Sequence, residues 1–171
     1  MSGYIQVYTG DGKGKTTAAL GLSIRAIGAG LKVFIAQFMK KGNYSEVNTL
    51  KKLNDFITIK QYGTGALIKG SPSDEDIKVC EKGLEEIEKF ISTKKYDIII
   101  MDEINVAIAY GICSIERLMK LIDCKHEDVE LVITGRGAHQ ELVKRADLVT
   151  EAKEVKHYFS KGVKARDGIE K

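Results

Sequence analysis

Nine consecutive residues, Thr9-Gly10-Asp11-Gly12-Lys13-Gly14-Lys15-Thr16-Thr17, carry the densest chemistry in the chain. They sit between a short apolar run and a stretch with helical spacing, the setting of a phosphate-binding loop. Glycines let successive backbone N–H groups turn onto an anion, and the helix that follows offers its positive end to the same point. Lys15 adds a full charge, and the Thr16 hydroxyl suits a Mg²⁺ ion shared with phosphates. The usual spacing is G-x-x-x-x-G-K-[ST]. Here Thr9 holds the first glycine position and Gly10 leaves only three intervening residues, so the loop is irregular.

About 90 residues later an apolar run ends in Asp102-Glu103. Carboxylates at the C-terminal end of a buried parallel strand, beside a phosphate loop, can hold Mg²⁺ directly or through water. Glu103 is then either a base for water, as in a hydrolase, or a metal ligand only, as in a transferase. Thr134-Gly135-Arg136-Gly137 closes the next apolar run, and the forked Arg136 can reach phosphate oxygens there. Arg25, about three turns along the first helix, is a further candidate cation. Gln37-Phe38, Lys40, Lys41 and the stretch 42–46 read as the turn after a strand. His126, His139 and His157 lack metal-ligand spacing. No Gly-x-Ser-x-Gly elbow or Cys/His pairing suggests a covalent nucleophile.

The elements that must position these groups follow from periodicity. Short β-branched runs at Tyr4–Tyr8, Val33–Phe38, Ile57–Tyr62, Asp97–Met101, Glu130–Thr134 and, more weakly, Asp147–Thr150 alternate with helical patterns. The helices are expected at Thr16–Gly28, near Glu46–Leu53, and at Ser73–Ser92, Ser114–Ile122 and Ala138–Arg145. Ser73 and Asp76 suggest a capping box, followed by Ile77, Cys80, Leu84, Ile87 and Ile91 at three- and four-residue steps. Such alternation implies an α/β domain whose mostly parallel central sheet is covered on both faces.

The chain has 171 residues, 43% of them hydrophobic, which fits one domain with a substantial core. Its 27 basic and 24 acidic residues give +3, and the segment 153–171 holds six basic and three acidic ones. The whole surplus therefore lies in the last 19 residues. Without a basic stripe through the body, a nucleic-acid-binding domain is not expected. No run approaches a membrane span, Met1–Tyr8 lacks a secretory pattern, and three cysteines without a C-x-x-C read as reduced thiols. A cytoplasmic protein is the expectation.

Tyr8 to Ala19, Gln37-Phe38, Asp102-Glu103-Ile104-Asn105 and Tyr110-Gly111 closely resemble the P-loop type of ATP:corrinoid adenosyltransferase. So do Thr134-Gly135-Arg136, Ala146 to Glu151, Lys156-His157 and the ending Gly162 to Glu170. The resemblance runs from about Tyr4 to Glu170. It implies a single RecA-like, three-layer P-loop domain over 1–171, with 153–171 packed on or near the active site. It also implies transfer of the 5′-deoxyadenosyl group of ATP to the cobalt of a reduced corrinoid, with triphosphate leaving. By resemblance, Gly10, Asp11, Gly12, Lys13, Gly14, Lys15, Thr16, Thr17, Arg25 and Arg136 would contact the nucleotide. Lys15, Thr16 and Glu103 would act in catalysis, with Thr16 and Glu103 on Mg²⁺. An electron-donating flavoprotein or other reductant and a homodimer belong to the same implication. Relatives often carry aromatics after the third strand that displace the corrinoid's lower ligand. Here Gly63 to Ile68 has none beyond Tyr62, so either Leu67 and Ile68 form a less bulky apolar wedge or the corrinoid is gripped differently. A RecA-like ATPase and a small-molecule kinase are the competing readings.

Overall fold

The computed structural model describes residues 2–66, 68 and 70–170. Six strands, β1 (Ile5–Thr9), β2 (Val33–Phe38), β3 (Ile57–Tyr62), β4 (Ile98–Asp102), β5 (Glu130–Thr134) and β6 (Leu148–Glu151), form one sheet in the order β3-β2-β4-β5-β1-β6. Every pairing is parallel, beyond the mostly parallel sheet expected. Crossovers supply the helices α1 (Lys15–Gly28), α2 (Ser45–Leu50), α3 (Asp74–Thr93), α4 (Ile104–Ala109), α5 (Ile115–Asp123) and α6 (Gln140–Arg145).

Residues of period two divide β2 between the sheet's faces. Phe34, Ala36 and Phe38 join α3, α4 and α5 in one core, while Val33 and Ile35 pack with Ala19, Ala26 and Leu50 of α1 and α2 in the other. Burial on both faces explains the unbroken apolar run of β4. The Ser73–Asp76 capping box forms at the start of α3, with Asp76 N–H donating to Ser73 Oγ and Ser73 N–H to Asp76 Oδ2. The unexpected helix is α4. It is only six residues long, and its apolar run leaves no polar face from which a period could be read.

The order also sets the site. Between the phosphate-loop strand β1 and the carboxylate strand β4 lies β5, so any link from Thr16 to Asp102 must pass the end of β5. All the parallel strands end on the same rim, where an α/β sheet places its ligands. No helix among the described residues is long and apolar enough to cross a membrane.

Candidate active site

Gly14 opens α1 in a left-handed conformation (φ 113°) that a side chain would strain, and the first N–H groups of the helix follow it. Lys15 is buried and folds back so that its Nζ donates to Gly12 O at 2.6 Å. Burial and the nearby Arg136 lower its pKa, opposed by Glu103 and Asp11. A bound anion would oppose that lowering and favour the charged form.

Asp102 is 1% exposed and receives donors from four directions. Thr16 Oγ1 and Thr134 Oγ1 donate to Oδ1 at 2.8 and 2.7 Å. Lys40 Nζ donates to Oδ2 at 2.8 Å, and Gln37 Nε2 reaches it at 3.5 Å. Thr134 is therefore the bridge across β5, and it also accepts from the Glu103 N–H at 3.1 Å. The hydroxyl of Thr16 is thus paired with Asp102.

Glu103 starts α4 in a left-handed conformation (φ 64°), uncommon for a residue with a side chain. That elbow separates it from Asp102. One carboxylate stays in the sheet's rim network while the other lines the cleft. Burial, and then Asp102, raise the Glu103 pKa; Lys40, Lys15 and Arg136 oppose the rise. The cation that such a carboxylate favours is a hard one. Thr16, Asp102 and Glu103 are oxygen donors of the type Mg²⁺ takes, but no cluster of three or more His, Cys, Asp or Glu among the described residues forms a metal cage.

The loop faces an open cleft of about 880 Å³. Gly12 to Thr17 form its floor, Leu20 and Ile24 of α1 and Glu46 and Thr49 of α2 one side, and Glu103 and Arg136 another. His157, Gly168, Ile169 and Glu170 of the C-terminal segment supply the remaining wall. The structure thus brings together Gly12, Lys13, Gly14, Lys15, Thr16, Thr17, Glu103 and Arg136. Gly10, Asp11 and Arg25 do not line the cleft. Arg25 lies ten residues beyond Lys15, roughly 15 Å along the helix axis, where its charge acts on the Tyr8 phenol.

Two expectations about the loop change. Gly12 N–H donates to Ala152 O at 2.7 Å, so it is unavailable to a phosphate. A Cβ on Gly10 would lie 2.5 Å from Ala152 O, and one on Gly12 2.8 Å from Ala152 O and the Lys153 carbonyl. These glycines admit the returning chain, which the loop pattern alone does not reveal. Lys13 Nζ donates to Ile169 O at 2.7 Å and pairs with Glu170 at 3.6 Å, directing its charge to the C-terminal segment. Of that segment's charged side chains, the acidic Glu170 lines the cleft; Lys153, Lys156, Lys161, Lys164 and Arg166 do not.

Lys40, Gln37 and Thr134 carry more of the site than the sequence suggested, where Thr134 only opened the Arg136 cluster and Gln37 and Lys40 read as a turn. Lys40 had the look of a solvated turn. Only the pairing of β2 with β4 brings it to Asp102. Of the expected wedge, Leu67 lies outside the described residues, and Ile68 packs inward against the core.

Residues 1–170 match the family model described as ATP:corrinoid adenosyltransferase BtuR/CobO/CobP. A corrinoid adenosyltransferase of Escherichia coli (strain K12) is 34% identical over 170 residues, covering 98% of this chain and 85% of that protein. One from Pseudomonas aeruginosa is 30% identical over 169 residues, covering 98% and 83%. Among solved structures, a KaiC-like protein of Pyrococcus horikoshii superposes with a TM-score of 0.60 at 18% identity, covering 88% of this chain and 73% of that one. That likeness concerns the RecA-like fold alone. With the family model matched over nearly its whole length, the chain belongs to the ATP:corrinoid adenosyltransferase family.

Proposed function

We infer that the cleft binds ATP and that the protein transfers its 5′-deoxyadenosyl group to the cobalt of a reduced corrinoid, releasing triphosphate. One observation carries the reading beyond family membership. Lys15, Thr16, Glu103 and Arg136, drawn from three strand ends, meet in a cleft of nucleotide size that stays open on one side for a large second substrate.

Cobalt(I) is itself a strong nucleophile, so the reaction needs no protein nucleophile and no water-activating base; the corrinoid brings the hard chemistry. Attack at C5′ breaks its bond to the α-phosphate oxygen, and negative charge develops on the departing triphosphate. Lys15 and the first N–H groups of α1 stabilise that charge, and Arg136 adds a second cation from the end of β5. Mg²⁺, when bound with the nucleotide, would be held at Thr16, Asp102 and Glu103 and would neutralise further phosphate charge. The protein's remaining task is to position C5′ for in-line attack. Gly14 and Thr17 would contact phosphate directly. Gly10, Asp11 and Lys13 would act by shaping the loop, and Arg25 by charge at a distance. By the same resemblance, a reduced flavoprotein or other donor supplies the electron, two chains assemble, and the setting is cytoplasmic.

The test is direct. Incubation with Mg·ATP and chemically reduced cobalamin should yield a light-sensitive adenosyl product and triphosphate. Release of ADP or phosphate without corrinoid, and no adenosyl product, would overturn the reading in favour of an ATPase or kinase.

A further inference from the structure

The mechanism above leaves His157 without a part, although this residue lines the cleft beside Gly168, Ile169 and Glu170. Its surroundings fix it closely. Nδ1 accepts the Phe159 N–H at 3.0 Å, capping the short turn Tyr158–Lys161. The His157 carbonyl accepts from Ser160 Oγ at 2.7 Å. Its ring packs against Tyr158 with centroids 4.8 Å apart.

An Nδ1 that accepts a hydrogen bond carries no proton, so in the neutral ring the proton resides on Nε2. No partner for Nε2 exists among the described residues. The half-buried ring therefore offers one donor of fixed tautomer at the cleft wall. The charges around it suit an anion. The adjacent Glu170 carboxylate is answered by Arg166, which donates from its backbone N–H (2.9 Å), Nε (3.2 Å) and Nη2 (3.1 Å), and by Tyr158 and Lys13. With Glu170 neutralised, the floor contributes the charge of Lys15 and the positive end of α1.

We propose that His157 is a nucleotide-binding residue whose Nε2–H donates to a phosphate oxygen of ATP. This rests on the reading of the cleft as an ATP site. In this arrangement the C-terminal segment supplies a hydrogen-bond donor to the site, while Lys153, Lys156, Lys161 and Lys164 stay outside the lining.

Two substitutions separate a binding role from a structural one. In His157→Asn the side-chain oxygen can still accept from Phe159 N–H, but the donor at the Nε2 position is gone. In His157→Gln the amide reaches the Nε2 position, and the Nδ1 acceptor is lost. Titration calorimetry with Mg·ATP and, separately, with inorganic tripolyphosphate should show about tenfold or weaker binding for the Asn variant. The Gln variant should stay within about threefold of the unaltered protein. Thermal unfolding confirms that both are folded. The reverse order, Asn normal and Gln impaired, would assign the ring to the turn alone and overturn the proposal. So would a loss for ATP with none for tripolyphosphate, or no loss in either variant. If the unaltered protein bound neither ATP nor tripolyphosphate, the ATP reading itself would fail, whatever the variants did.

Discussion

Asp102, buried in the network at the sheet's rim, and Glu170, in the wall of the cleft, are carboxylates held in opposite ways. Asp102 is reached by Thr16 from α1, Thr134 from β5, Gln37 from β2 and Lys40 from the loop after β2. Its partners come from four places in the chain, so the network exists only when the sheet is assembled. Glu170 is held by Arg166 and Tyr158, four and twelve residues away, and by one long-range partner, Lys13. The first arrangement is part of the fold, and the second is a local clasp laid over the phosphate loop. Substitutions at Asp102 should therefore disturb stability, whereas those at Glu170 should be felt by the ligand.

Asp102→Asn is the strongest test of that contrast. It leaves Lys40, paired at 2.8 Å and with a side chain only 18% exposed, without the carboxylate it bonds, with Glu103 and Glu46 as the remaining negative charges acting on it. Breaking such a pair on one side costs about 3–5 kcal/mol. Urea denaturation should show a loss of that order, while Glu170→Gln shifts the midpoint far less. Equal shifts would erase the distinction between the walls.

Lys15→Ala comes next, and its effect should fall on rate. Removing a preorganised group that stabilises developing charge costs about 10²–10³ in kcat. Adenosyl transfer should drop by that factor with folding intact. Lys13→Ala, whose amine is turned to Ile169 and Glu170, should cost far less. Near-equal losses would mean that both lysines serve the phosphates alike.

Gly12→Ala probes the place where the two walls touch. Its Cβ would press on the backbone of Ala152 and Lys153 at 2.8 Å, and both are backbone atoms that cannot rotate aside. Overpacking of this type costs about 1–3 kcal/mol. The expected result is a lower thermal midpoint, with increased protease cleavage between 153 and 170. Unchanged cleavage would show that the contact does not anchor the segment.

The same contrast explains what could be read from the sequence. The sheet was legible because strands buried on both faces must be apolar throughout, as in Ile98-Ile99-Ile100-Met101. The loop was legible because Gly-Lys-Thr opening a helix has few other uses. Asp102 and Glu103 were both visible, but their division of labour was not. It depends on the left-handed turn at Glu103 and on Thr134 reaching across from β5, neither of which has a signature in local spacing. Lys40 was hidden for a related reason. A lysine in a polar turn is usually solvated, and only the adjacency of β2 and β4 brings it to Asp102. The reach of Ala152 to Gly12 spans 140 positions, beyond any periodicity argument. Resemblance to a family suggested that the ending was ordered near the site. It did not show that the contact would be made by backbone and by Glu170, with Lys153, Lys156, Lys161 and Lys164 outside the cleft lining.

The smallest expected effect concerns the clasp itself and is visible only through pH. Arg166 and then Tyr158 hold the Glu170 carboxyl down to about 2, from an ordinary 4.5. A depressed carboxylate contributes its stabilisation above the unfolded value and loses it as pH falls through the folded one. The clasp should thus be intact at pH 5 and above, weaken from about 4.5, and be released near 2. Carbon-13 NMR of the Glu170 side chain between pH 5 and 3 should find it still ionised in the unaltered protein. In Arg166→Ala the same carboxyl should titrate within that window. Titration at the same pH in both proteins would show that Arg166 does not hold it. The Asp102 network should be untouched by the Arg166 substitution, because no bond joins the two, and the urea midpoint of Arg166→Ala is the control for that separation.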